Sequence, residues 1–314
     1  MKRLITALAL AASLSSAAVA GDENKLSIML DWFVNPDHGP IIIAQQRGYF
    51  EDENLEVEII PPADPADPPK MAAAGQVDLA ISYQPHLYLQ HRNLPVIRVG
   101  TLVNTPLYCV MVDADGPIKS LADLKGKRIG YSVPGIEEAL MHRMLRTNGV
   151  DPADVEHVTV NFALTSALAS GKVDATSGAF RNFELHQMEA IDRKGKCFNP
   201  EDHGVPIYDE LIYETSDKRV DFTNIRKFLK ATARATADIK ADPDGTWEEF
   251  KTYADELDDK LNHAAWFDTY PTFADDPVSL DVKRYADFGA YMKEVGLIEE
   301  VPEVKFIAVD LGVD

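Results

Sequence analysis

Cysteine is scarce in this chain: among 314 residues only Cys109 and Cys197 occur. That excludes a small disulfide-stapled fold, and the C-x-x-C spacing of a redox or zinc site is absent. The two cysteines are far apart in the sequence and form no framework pattern. Pairing needs Cα atoms within about 7 Å, so the balance is against a bridge. Basic charge is also short, with 31 Lys and Arg against 51 Asp and Glu and a formal charge of −20. Such a surface repels phosphate backbones and anionic headgroups, which argues against nucleic-acid or membrane-surface partners. There is no Walker loop, no H-E-x-x-H and no dinucleotide glycine fingerprint. Gly130-Tyr131-Ser132-Val133-Pro134 begins like a nucleophile elbow but puts proline where the second glycine is required. The eight histidines show no close ligand spacing. Nothing in the residues calls for catalysis, a metal or a cofactor.

Apolar residues make up 46% and charged residues 26%, the balance of a folded globular protein. The first twenty residues stand apart. Lys2 and Arg3 precede a short apolar stretch from Leu4 to Ala12, and Ala18-Val19-Ala20 is a small-x-small cleavage site. The segment reads as a secretory signal peptide, because its apolar run is too short to span a bilayer. Removing it leaves 29 basic against 51 acidic residues, a formal charge of −22. The expected mature protein begins at Gly21 and is exported to the periplasm.

From there, strand and helix signals alternate. Lys25–Leu30 reads as a strand, Ile41–Arg47 as a helix opened by Pro40 and closed by Gly48, and Leu55–Ile60 as a second strand. Five prolines between Pro61 and Pro69 mark a stiff connection. This βαβ rhythm predicts an α/β fold with mainly parallel sheets flanked by helices. Ala74-Gly75-Gln76-Val77-Asp78, leading to a strand ending at Ser82, is echoed by Ser170-Gly171-Lys172-Val173-Asp174, leading to one ending at Ser177. With a further strand at Arg128–Tyr131 and a helix at Glu137–Arg146, the echo suggests two similar lobes. Tyr108–Val112 is expected to lead out of the first lobe and Asp209–Glu214 to lead back. Residues 21–110 and 215–314 then form lobe 1 and residues 111–214 lobe 2. Helices are expected at Phe222–Lys240, Thr246–Leu257 and Val282–Val295, with turns at Asp242-Pro243 and near Pro271, and an extended tail at Pro302–Val309. Two crossings make a two-strand hinge, and the crevice between the lobes is the natural ligand site.

Candidate ligand-binding residues lie where strands end. Asp31, Trp32, Asn35 and His38 fill the loop after the first strand. The indole suits stacking on a flat ring, and the polar three suit its edges. Asn35-Pro36-Asp37 is equally good turn chemistry. Tyr83 and Gln84 follow the first echo strand, and Phe180, Asn182 and Glu184 follow the second, so the two loops should face one another. Phe180 and Glu184 lie four residues apart, on one face of any helix that starts there. A core phenylalanine and a surface ion pair explain them too. Ser132 precedes a helix whose amides could hold an anionic group.

The run Leu30-Asp31-Trp32 through Asn35 and His38 to Ala44-Gln45-Gln46-Arg47-Gly48-Tyr49-Phe50 resembles the thiamine-pyrimidine-precursor branch of periplasmic substrate-binding proteins. So do Asp67-Pro68-Pro69 with Gly75-Gln76-Val77-Asp78, Ile81-Ser82-Tyr83-Gln84-Pro85, and Leu124-Lys125-Gly126-Lys127-Arg128-Ile129-Gly130-Tyr131. The resemblance implies a two-lobed, type II periplasmic binding protein, expected to be a monomer, that hands a small pyrimidine ligand to the membrane permease of an ABC importer. In that branch a Gly-Ala-Tyr-Trp-x-Tyr-Glu-like segment supplies a stacking ring and a pyrimidine-binding acid. Here it reads Gly178-Ala179-Phe180-Arg181-Asn182-Phe183-Glu184, which implies stacking by Phe180 and recognition by Glu184. The ligand implied is a formylaminopyrimidine or hydroxymethylpyrimidine-like thiamine precursor. Riboflavin, another heterocycle or a small anion is the alternative within the binding class. The fungal pyrimidine synthase shares the fold and uses a Lys and a His near the first-lobe loop. An ungapped alignment puts Ile81 and Pro85 at those two positions, which disfavours an enzyme.

Overall fold

The computed structural model describes residues 24–219 and 221–312. The expected signal peptide, residues 1–20, lies outside them. Among the described residues, ten strands are β1 (Lys25–Met29), β2 (Glu56–Ile60), β3 (Leu79–Ser82), β4 (Val96–Val103), β5 (Tyr108–Asp113), β6 (Arg128–Tyr131), β7 (Glu156–Thr159), β8 (Ala175–Phe180), β9 (Gly195–Phe198) and β10 (Leu211–Ser216). They build two five-stranded sheets with the same order, β2-β1-β3-β10-β4 and β7-β6-β8-β5-β9. In each sheet the first three strands are parallel and the fourth is antiparallel to both its neighbours. That fourth strand is the one that has just crossed from the other lobe. A chain entering a sheet across a hinge arrives from the opposite end, which explains the reversed direction.

The sequence echo marks equivalent places in the two lobes. Asp78 precedes β3, and its Oδ2 accepts the Ser27 N–H of β1 at 2.8 Å. Asp174 precedes β8, and its Oδ2 accepts the Arg128 N–H of β6 at 2.9 Å. Each aspartate thus fastens the start of the lobe's central strand to the strand beside it, and an arginine pairs with each carboxylate, Arg219 with Asp78 and Arg128 with Asp174.

Three sequence expectations need correction. The boundaries at 110/111 and 214/215 cut through strands: β5 lies whole in the second sheet and β10 whole in the first, so the crossings are residues 104–107 and 205–210. Glu210 ties the crossings together, its Oε2 accepting the N–H groups of Leu107 at 2.6 Å and Tyr108 at 2.9 Å. The helix expected over Thr246–Leu257 ends at Phe250, and a separate helix, Lys260–Thr269, follows where none was expected. Asp259 caps it through the Asn262 N–H at 2.7 Å. Finally, Cys109 and Cys197 are bridged, with Cα atoms 5.4 Å apart. The antiparallel pairing of β5 with β9 brings them together, a neighbourhood invisible before β9 is recognised as a strand.

Candidate functional site

The parallel strands point their carboxyl ends at the crevice between the sheets, where open α/β folds place their ligands. The loop after β1 is stiffened before it reaches that crevice. Asn35 Oδ1 accepts the Asp37 N–H at 2.8 Å, and the Asn35 N–H donates to His38 Nδ1 at 3.3 Å. With Nδ1 accepting, the other ring nitrogen carries the proton, and His38 Nε2 lies 3.0 Å from Asp31 Oδ1. Tyr83 Oη donates to the other oxygen of Asp31 at 3.2 Å. Asp31 is therefore held from two sides. From the opposite lobe, Glu184 turns back so that Oε2 accepts the Phe180 N–H at 2.7 Å. The two echo loops do face one another: the rings of Tyr83 and Phe180 sit 6.3 Å apart, edge to face at 88°.

Between the lobes lies a cavity of about 350 Å³. Of the residues expected there, Asp31, Trp32, Asn35, Tyr83, Phe180 and Glu184 line it. The other four stand behind it. His38 is fully buried against Asp31. Gln84 accepts the Asp209 N–H at 2.7 Å, next to the hinge. Ser132 donates its hydroxyl to the Asn161 carbonyl and its N–H to Glu137. Asn182 bridges the lobes instead, donating to Asp37 Oδ1 at 2.6 Å and Thr269 Oγ1 at 2.7 Å. Thr269 belongs to the unforeseen helix, as does Asp268, which pairs with His186 of the second lobe at 2.8 Å. Trp32 packs its ring edge to face with Phe162 of the second lobe at 4.6 Å, and Phe33 and Phe183 complete the aromatic cluster.

Sequence reasoning missed two acids of the lining, Asp37 and Glu137. Asp37 was hidden by its plausibility as a turn residue. Glu137 was hidden by its place in a helix first turn, where acids are common. Together with Asp31 and Glu184 they put four carboxyl groups around one small space, and no Lys or Arg lines it among the described residues. Burial raises the Asp37 pKa to about 6 and the Glu184 pKa to about 8, and the neighbouring acids add to both shifts. Burial also pushes Glu137 well above the carboxylate range. Such a lining can accept hydrogen bonds from, or share protons with, N–H groups brought into the cleft. Among the described residues, no group of three or more His, Cys, Asp or Glu is arranged to hold a metal ion.

Two similar lobes, crossed twice by the chain and enclosing a cleft, define the periplasmic binding protein fold. The alkanesulfonate-binding protein SsuA of Xanthomonas axonopodis, solved with MOPS bound, shares it with a TM-score of 0.71 and 17% identity, over 92% of this chain and 99% of that one. The chain belongs to the NMT1/THI5-like family, whose pattern matches residues 35–246. A Haemophilus influenzae protein named for thiamine biosynthesis is 50% identical over 92% of this chain and 93% of its own. A protein of Halalkalibacterium halodurans named formylaminopyrimidine-binding protein is 33% identical over 81% and 78%. More distant is the 4-amino-5-hydroxymethyl-2-methylpyrimidine phosphate synthase of Schizosaccharomyces pombe, 28% identical over 88% and 83%. Among the described residues no helix is long and apolar enough to cross a membrane.

Proposed function

We propose that the chain is a periplasmic solute-binding protein, cleaved after Ala20, that captures a thiamine pyrimidine precursor and delivers it to an ABC importer. The ligand is a formylaminopyrimidine or a hydroxymethylpyrimidine-like compound. One observation carries the reading: four carboxyl groups and aromatic rings line the cleft between the lobes, with no Lys or Arg in that lining among the described residues. An aminopyrimidine offers an exocyclic amine beside a ring nitrogen that can be protonated, and a carboxyl group matches that edge with charge-assisted bonds. The same lining offers sulfonates and nitrate no cation, so their negative charge would be desolvated without a counter-ion. The names of the relatives support the thiamine connection.

The enzyme reading is the weaker one. At the aligned Lys and His positions stand Ile81, fully buried in β3, and Pro85, buried in the helix Gln84–Gln90. Neither can carry a proton or a nucleophile. Calorimetric titration against aminopyrimidines, riboflavin, taurine and nitrate tests the proposal. Tight binding of an aminopyrimidine without turnover is expected. Tight binding of taurine or nitrate with none of the heterocycles overturns it.

A further inference from the structure

A polar seam between the lobes separates the ligand cavity from an open groove. Asp37, in the turn after β1, lines the cavity. Asn182, two residues past β8 in the second lobe, lines the groove instead, with Leu107 of the first crossing and Asp268 and Thr272 of the first lobe. The contact between Asn182 and Asp37 is therefore the partition between the two spaces.

Asn182 is buried, and its amide nitrogen spends both N–H bonds on the first lobe, one on Asp37 Oδ1 at 2.6 Å and one on Thr269 Oγ1 at 2.7 Å. The Thr269 hydroxyl donates to the Ala265 carbonyl at 2.6 Å, which leaves its oxygen to accept. One side chain of the second lobe thus joins two separate elements of the first, the turn after β1 and the end of the helix Lys260–Thr269. A second contact lies beside it, where Asp268 pairs with His186 of the helix Glu184–Ala190 at 2.8 Å.

Packing alone does not explain this arrangement. A hydrogen bond from an amide to a carboxylate shielded from water is stronger than a neutral one. Asp37 is also repelled by Asp31 and Glu184. The Asn182 donor offsets part of that repulsion and keeps the wall of the cavity in place. Asn182 itself does not line the cavity, so its effect on binding passes through Asp37 and through the closure of the lobes.

We propose that Asn182 is a positioning residue for binding: its amide latches the lobes together at Asp37 and Thr269, and ligand leaves the cavity by the groove behind it when that latch opens. This rests on the solute-binding reading of the cleft and not on the pyrimidine. The latch consists of protein groups only, so it favours the closed arrangement with or without ligand and acts mainly on the rate of release.

Stopped-flow release and small-angle X-ray scattering test it on the wild-type protein, Asn182→Ala and Thr269→Val. The probe is 4-amino-5-hydroxymethyl-2-methylpyrimidine, followed by intrinsic fluorescence because Trp32 lines the cavity. Asn182→Ala is expected to release the probe about 10- to 100-fold faster without slowing its association, and Thr269→Val, which keeps the shape and removes one acceptor, about 3- to 10-fold faster. Without ligand, both variants should have a larger radius of gyration than the wild type. Release from Asn182→Ala within about twofold of the wild-type rate overturns the proposal, as does an unchanged radius of gyration. A lowered melting temperature with neither quantity moved assigns Asn182 to packing and overturns it too. Thr269→Val stays decisive if Asn182→Ala fails to fold. If the wild-type protein does not bind the probe, the pyrimidine reading fails, while the scattering comparison still decides the latch.

Discussion

Glu184 joins the second lobe to the cleft through one hydrogen bond to the Phe180 N–H, and it is 5% exposed. If it reads the ligand's amine edge, Glu184→Gln keeps the shape but sets an amide N–H against a ligand N–H. The expected loss is about 2 to 4 kcal/mol, or roughly 30- to 1000-fold in affinity. Phe180→Ala and Trp32→Ala should each cost about 1 to 3 kcal/mol of binding through lost stacking and burial. Melting temperature without ligand should change little, because these side chains line a cleft. Both quantities, measured on the same three variants, separate a binding role from a core role. A large drop in melting temperature with affinity preserved would move the aromatics into the core.

The two strands that carry the bridge pose a different question, one of elements. Cys109 and Cys197 fasten β5 to β9, an edge strand held on one side only. Closing a loop with a sequence separation of 88 restricts the unfolded chain, so the double variant Cys109→Ala/Cys197→Ala should lose about 2–4 kcal/mol of stability. Chemical denaturation checks this. Ligand affinity should hold within severalfold, because neither cysteine lines the cleft. The same region shows what was legible in the sequence. Strong βα units came through: β6 was expected at Arg128–Tyr131 and is found there, and the Gly-x-Val-Asp echo marks β3 and β8 in equivalent positions. Short edge strands such as β9, with two glycine or lysine residues in four, carry little pattern. The helix Lys260–Thr269 was equally hard to see, since Ala265, Trp266 and Phe267 are consecutive and put apolar groups on more than one face. Missing it meant missing Thr269 and Asp268 as contacts between the lobes. Six of the ten expected site residues line the cavity because strand ends are readable. Of the four that do not, Gln84 and Asn182 are drawn to partners distant in the sequence, while His38 and Ser132 are taken up by neighbours within a few residues.

For the molecule as a whole, buried acids set the response to pH. The pKa values of Asp37, Glu210, Glu184 and Glu214 are raised by burial to about 6, 7, 8 and 8. A carboxyl group whose folded pKa exceeds its unfolded one binds more protons in the folded state. Its stabilising contribution is complete below the unfolded pKa and is lost as pH rises through the folded value. The melting temperature of the unliganded protein should therefore fall between about pH 5 and pH 8. A bound cationic heterocycle stabilises the ionised acids and should flatten that slope. Melting curves across this range, with and without an aminopyrimidine, check both statements. A melting temperature that rises with pH would remove the neutral buried acids from the account.

The central claim is that this acid-lined cleft holds an aminopyrimidine, and the molecule that the protein itself retains tests it most directly. A mass spectrum of the small molecules released on denaturing protein purified from its native host should contain an aminopyrimidine in near-stoichiometric amount. A sulfonate or a flavin in that amount would contradict it.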